Sequence, residues 1–150
     1  MIISFFGHAD FNRQSEFEQA LLDCLENTVK DNDVELFLGG YGAFDRFCYS
    51  CCKKFKKSHP RAKIIFVSPY LSSKHLQNIK QDYDLIIFPE IENIPPKLAI
   101  MYRNKYMVEK SDFIITYVER TYGGAYKAYK YAKKLNKSIL NFGELKSTQD

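Results

Sequence analysis

Val34-Glu35-Leu36-Phe37-Leu38-Gly39-Gly40-Tyr41-Gly42-Ala43-Phe44-Asp45-Arg46-Phe47-Cys48-Tyr49-Ser50-Cys51-Cys52 runs from an apolar stretch through a glycine turn into an amphipathic one. The first part is apolar almost throughout rather than alternating, as a strand covered on both faces requires. From Phe44, positions i+3, i+4, i+7, i+8 and i+11 are Phe47, Cys48, Cys51, Cys52 and Phe55. That is one buried stripe of a helix, with Asp45, Arg46 and Lys53 among the residues between. Strand, tight turn, helix is therefore the reading of this stretch.

Two chemistries compete in it. Glycines at a strand-to-helix junction let backbone N–H groups approach an anion at a helix N-terminus. Three of the chain's four cysteines follow. A structural zinc site needs four tetrahedral ligands, and Cys48 with Cys51 or Cys52 supplies two at most from one helix face. No second pair stands elsewhere in the sequence. The thiols read as small hydrophobes of a core stripe, and neither a metal nor a cofactor is expected.

Working outward, similar apolar runs stand at Ile2–Phe6, Lys63–Val67, Leu85–Phe88, Phe113–Val118 and Ser138–Asn141, separated by amphipathic segments. Strand then helix, repeated five or six times, is the pattern of a mostly parallel α/β sheet. Ser15 and Glu18 have capping-box spacing at the start of the first helix. Phe17, Ala20, Leu21, Cys24, Leu25 and Thr28 mark its inward stripe. Pro95-Pro96 suits the start of another helix, running to about Lys110. No linker or repeat divides residues 1–150, which read as one domain with Glu144–Asp150 as a loose polar tail.

Composition excludes several classes. Of 150 residues, 45% are hydrophobic and 27% charged, which is ordinary for a globular chain and too apolar for a disordered one. No apolar stretch is long enough to span a bilayer, and no cleavable leader pattern opens the chain. The expectation is a cytoplasmic protein with reduced cysteines. The net charge of +4 favours anionic ligands but is too low to point to a nucleic-acid partner. Lys53, Lys54, Lys56 and Lys57, and later Lys127, Lys130, Lys133 and Lys134, read as solvated faces.

In open α/β sheets, ligands sit beyond the carboxyl ends of the strands, where strand order reverses. The residues just after each strand are thus the site candidates. They are Gly7, His8 and Asp10; Gly39, Gly40, Gly42 and Asp45; Ser68; Glu90; and Glu119 with Gly123, Gly124 and Ala125. Asp10 and Asp45 suit ribose or base contacts, and each is equally suited to capping a turn or a first helical turn. His8 is a ligand contact or simply a polar loop residue. Glu119-Arg120 is a lid or an exposed loop. Arg103 shares a helix face with Ile100 and Met107, so its planar fork is expected in a pocket, on phosphate or carboxylate, or in a structural ion pair.

The order Gly7-His8-Ala9-Asp10-Phe11, Gly39-Gly40-Tyr41-Gly42-Ala43-Phe44-Asp45, Met101-Tyr102-Arg103-Asn104-Lys105-Tyr106-Met107 and Tyr122-Gly123-Gly124-Ala125 resembles the SLOG superfamily. These are Rossmann-like domains named for the DNA-processing protein Smf and the Lonely Guy enzymes. The likeness covers nearly the whole chain and is greatest to small members with a GGxGxxD turn and an Arg-Asn motif. It implies a three-layer Rossmann-like sandwich with a mostly parallel sheet of five to six strands, a nucleotide or nucleotide-derived ligand, and a homodimer.

Lonely Guy enzymes hydrolyse the N-glycosidic bond of cytokinin nucleoside monophosphates with an arginine and a glutamate. Arg103 and Met107 keep the spacing of their arginine motif. Their glutamate lies six residues after the first glycine of PGGxGTxxE, and here that count from Gly123 reaches Tyr129. A neutral tyrosine cannot stabilise an oxocarbenium-like state or activate water. The resemblance therefore carries the ligand class and not the reaction. As an enzyme, the chain would need Arg103 together with a displaced carboxylate, which could be Asp10, Asp45, Glu90 or Glu119. A single-stranded nucleic-acid binder and a nucleoside deoxyribosyltransferase are the other readings.

Overall fold

The strand-forming runs pair as the sequence pattern requires. A computed structural model of the chain describes residues 1–69, 79–89 and 93–146. In it, β1 (Ile2–Gly7), β2 (Glu35–Leu38), β3 (Lys63–Val67), β4 (Leu85–Ile87), β5 (Phe113–Tyr117) and β6 (Ser138–Asn141) form one sheet. Its order is β4-β3-β2-β1-β5-β6, and every pairing is parallel. The described helices are α1 (Gln14–Val29), α2 (Ala43–Ser58), α3 (Pro96–Lys110) and α4 (Gly124–Lys134). This is an α/β, Rossmann-like architecture.

Alternation along the strands divides the core in two. Ile3, Phe5, Leu36, Leu38 and Ile115 pack with α1 and α2 on one face of the sheet. Phe6, Phe37, Ile65, Val67 and Ile114 pack with Met107 and Val108 of α3 and Ala128 and Ala132 of α4 on the other. Cys48, Cys51 and Cys52 are fully buried in the first layer, as their helical spacing requires. Burial pushes the Cys51 thiol up to about 12 and those of Cys48 and Cys52 well above the ordinary range, so they are inert thiols. Among the described residues, no group of His, Cys, Asp or Glu is placed to hold a metal ion, and no helix is long and apolar enough to cross a membrane.

Two local expectations differ from the structure. Helix α1 starts at Gln14 with Arg13 at its N-cap, and no side chain caps it. Ser15 lies inside the first turn, so the Ser15–Glu18 pair is not a capping box. The buried stripe of α1 runs along Leu21, Leu25 and Val29, while Ala20 is exposed. The expected start of α3 holds, with Pro95 at the N-cap and Pro96 opening the helix. Of the expected tail, Glu144–Lys146 carry no helix or strand, and residues 147–150 lie outside the described residues.

Strand order grows outward from β1 through β2, β3 and β4, then returns to the other side of β1 with β5 and β6. The reversal falls between β1 and β5, at the carboxyl ends of the sequence stretches that carry Gly7-His8 and Glu119-Arg120.

Candidate functional site

A cavity of about 370 Å3 opens at that switch point, within the size range of small-molecule sites. Phe6 and Gly7 of β1 and His8 just beyond it line the cavity, with Gly39 and Tyr41 of the β2–α2 turn and Asp45 of the first turn of α2. Ile100, Arg103 and Met107 come from the predicted face of α3, with Asn104 beside them. The β5–α4 turn closes the ring with Arg120, Tyr122, Gly123, Gly124 and Ala125.

Arg103 is buried and fastens α3 to the sheet. Its Nη1 donates to the carbonyls of Gly39 at 2.9 Å and Val67 at 2.8 Å, beyond the ends of β2 and at the end of β3. Its Nε donates to Asn104 Oδ1 at 2.9 Å. A Cβ at position 39 would stand 2.9 Å from the guanidinium carbon, so glycine there makes room for the arginine. Gly7 and Gly40 make room in the same way for the rings of Phe44 and Phe66.

Helices α2 and α4 begin alike. Gly42 is the N-cap of α2 with φ 91° and ψ 174°, and Gly123 is the N-cap of α4 with φ 91° and ψ 173°. This backbone region is open to glycine and strained for other residues. Their surroundings differ. At α2, the Ala43 N–H donates to the Ala9 carbonyl at 2.9 Å and the Tyr41 N–H to Asp45 Oδ2 at 2.9 Å. A Cβ at Gly42 would stand 2.8 Å from Ala9 Cα. At α4, no hydrogen bond among the described residues takes up the N–H groups of Gly124 or Ala125, and no side chain caps the helix. A Cβ at Gly123 or Gly124 would meet nothing within 4 Å. Helix α2 is closed by the protein's own groups, whereas α4 presents its first-turn donors and positive dipole end to the cavity.

Asp45 is the carboxylate that lines the cavity among the described residues. Burial pushes its carboxyl up to about 6, against the opposing pull of the Tyr41 N–H and the Arg103 and Arg46 charges. It can thus exchange a proton near neutral pH. His8 is buried, and its Nε2 accepts the Glu119 N–H at 3.0 Å. That bond places its ring proton on Nδ1. Burial, with the Arg120 charge nearby, lowers its imidazole below the ordinary value, so it is a neutral strut between β1 and the β5–α4 turn. Asp10 holds the Arg120 guanidinium with two bonds of 2.9 Å. That hydrogen-bonded pairing holds the Asp10 carboxyl below its usual range. Arg120 also lies 5.5 Å from the centre of the Tyr122 ring.

The candidates divide accordingly. Gly7, His8, Gly39, Asp45, Arg103, Gly123, Gly124 and Ala125 meet at one cavity. Asp10 reaches it only through Arg120, and Gly40, Gly42, Ser68 and Glu119 are not among its described lining. The Glu119 carboxylate accepts the Tyr117 hydroxyl at 3.3 Å. Glu90 lies outside the described residues. Sequence reasoning missed Tyr41 and Tyr122, both 67% exposed at the cavity and each immediately before an N-cap glycine. The repeated Tyr-Gly pair was their only signal. It also missed Asn141 of β6, whose side chain accepts the Val118 N–H at 2.9 Å and donates to the Val118 carbonyl at 3.0 Å, fixing the start of the β5–α4 turn.

No protein-family model matches the chain, and no curated protein matches it significantly. Solved structures share its fold. The structural-genomics target TM1055 superposes with a TM-score of 0.59 at 11% identity, covering 92% of this chain and 71% of its own. DNA processing protein A from Helicobacter pylori, described for its single-stranded DNA binding mode, gives 0.65 at 17%, covering 94% and 64%. DNA processing protein A from Streptococcus pneumoniae gives 0.67 at 12%, covering 93% and 49%. This chain thus spans 64% of the length of the first of these two proteins and 49% of the second. Identities this low show the fold, which is Rossmann-like. DNA-processing proteins thus stand among the neighbours in fold. The single-stranded DNA binding of the Helicobacter pylori protein sits against the expectation that the charge does not point to a nucleic-acid partner.

Proposed function

We infer that the cavity binds a nucleotide or nucleotide-derived ligand. The observation that carries this reading is the open N-terminus of α4, where a Cβ added at Gly124 would meet nothing within 4 Å and the Gly124 N–H has no partner among the described residues. A phosphate seated there takes up the first-turn donors, and Arg120 adds a guanidinium at the rim. Tyr41 and Tyr122 offer exposed rings for a base, and Asp45 offers an acceptor for a ribose hydroxyl. Anion site, buried carboxylate and aromatic rim together match the three parts of a nucleotide.

The test is thermal unfolding with a panel of nucleoside monophosphates beside ribose 5-phosphate and inorganic phosphate. The expected result is stabilisation by at least one nucleotide, by about 2–4 kcal/mol at saturating concentration, and less by the base-free compounds. No stabilisation by any nucleotide would overturn the reading.

Hydrolysis of an N-glycosidic bond is a second reading, favoured by one observation. Asp45 supplies, from the first turn of α2, a cavity carboxylate with a proton affinity near neutrality. In that role it stabilises developing positive charge or activates water, while Arg103, tied to Gly39 and Val67, sets the wall opposite. Release of ribose 5-phosphate above the uncatalysed rate, lost in Asp45→Asn, is the expected result. Binding of single-stranded nucleic acid is the third reading, favoured by the Helicobacter pylori neighbour. Its mark is oligonucleotide affinity that falls steeply with added salt.

A further inference from the structure

The cavity does not end at Gly124. A second hollow of about 500 Å3 runs between α3 and α4 and shares Ile100, Asn104 and Gly124 with the first. Its floor is apolar, with Met101, Ala128 and the ring of Tyr131. Its charges are of one sign. Lys97 and Lys105 come from α3, and Lys127, Lys130 and Lys134 from α4, with no carboxylate among its described lining. Helical spacing explains the convergence, since 97, 101 and 105 share one face and 127, 130, 131 and 134 share another. Lys54 and Lys56 elsewhere pair with Glu18 and Asp84. Among the described residues, no salt bridge engages the five groove lysines. Rings hold two of them in place, with Lys105 lying 5.4 Å from Tyr102 and 5.6 Å from Tyr131, and Lys130 lying 5.6 Å from Tyr126.

Lysines that diverge into solvent repel one another little. Five that line one hollow raise the local potential and draw an anion into it. From Gly124 to Lys134 the row extends about 15 Å along α4, starting at the donors that would seat the first phosphate. A mononucleotide bound in the cavity leaves this row unmatched. A two-fold contact with a second copy would set lysines against lysines.

We propose that the α3–α4 groove is a second anion subsite, and that the ligand is a phosphodiester-linked dinucleotide or short oligonucleotide. One nucleotide occupies the cavity. The next phosphate passes over Lys127, Lys130 and Lys105, and the second base lies on Met101 and Tyr131. This rests on the nucleotide reading of the cavity.

The experiment titrates nucleoside 5′-monophosphates and the matching 5′-phosphorylated homodinucleotides, for each of the four bases, against the wild-type chain and Lys127→Gln/Lys130→Gln. For the preferred base, the dinucleotide is expected to bind roughly tenfold more tightly at low salt and to lose affinity more steeply as salt rises. The double variant, its lysines exposed and its melting temperature unchanged, is expected to lose that advantage and keep its mononucleotide affinity. Equal affinity of the two ligands for the wild type, or an advantage retained by the double variant, would overturn the groove and leave the cavity reading standing. Failure of every mononucleotide and dinucleotide to bind would overturn both.

Discussion

The Arg103 guanidinium donates to the Gly39 carbonyl at 2.9 Å and occupies the space that a side chain at position 39 would need. The pair joins α3 to the end of β2 and shapes one wall of the cavity. Gly39→Ala is expected to displace the guanidinium and destabilise the fold by about 1–3 kcal/mol. For a chain of this size each kcal/mol lowers Tm by roughly 2–4 °C. Arg103→Ala strands the carbonyls of Gly39 and Val67 and is expected to cost a similar amount. Arg103→Lys restores the charge without the fork and is expected to rescue only part. Calorimetry of the three variants checks this, and an unchanged Tm in Arg103→Ala would show that the arginine is not a strut.

Asp45 predicts a pH signature. Its carboxyl titrates at about 6 in the folded chain, against 3.8 ordinarily. The native state therefore holds the proton more tightly than the unfolded state. Stability from this group is highest below about pH 4, falls between about pH 4 and 6 by about 3 kcal/mol, and stays lower above. Asp45→Asn keeps an acceptor for the Tyr41 N–H and is expected to flatten that interval. Chemical denaturation at several pH values, comparing the two chains, measures the difference. Parallel curves would place the carboxyl at an ordinary pKa.

Neighbouring glycines of α4 should behave oppositely. Gly123→Ala forces a side chain into φ 91° and is expected to destabilise by about 1–3 kcal/mol. Gly124→Ala places a methyl group in open space and is expected to leave Tm unchanged or slightly raised. On the nucleotide reading the same methyl group would block the approach of a phosphate to the backbone, so nucleotide affinity in Gly124→Ala is expected to fall about tenfold or more. Stability and binding measured on one preparation separate the two effects.

Tyr41 and Tyr122 are exposed, so Tyr41→Ala and Tyr122→Ala are expected to leave stability within about 0.5 kcal/mol. Loss of base stacking is expected to weaken nucleotide binding by about 1–3 kcal/mol per ring. Ribose 5-phosphate binding should be unaffected. Weakening of both ligands alike would assign the tyrosines to the phosphate or the sugar instead.

Much of this molecule was legible in one dimension. The apolar runs marked all six described strands to within a residue or two, because strands covered on both faces leave a continuous signal. Phe44 through Phe55 placed the cysteines in the core, because helical periodicity is local. Ile100, Arg103 and Met107 were assigned one face for the same reason, and all three line the cavity. Other features depended on contacts between distant parts of the chain. Gly42 and Gly123 share a conformation, yet only the approach of Ala9 closes one helix end, and only its absence leaves the other open. Glu119 stands at a strand end and turns its carboxylate to Tyr117, while Asp45 turns inward from the first turn of α2. The lysines of α4 read as a solvated face, and join Lys97 and Lys105 of α3 in one groove because the two helices lie side by side over the same face of the sheet. The sequence alone determined elements, layers and the end of the sheet where the cavity opens, since these follow from local spacing and apolar pattern. Which donors stay open, which carboxylate faces the cavity and where the lysines converge were decided by tertiary packing, since each depends on a partner far away in the chain.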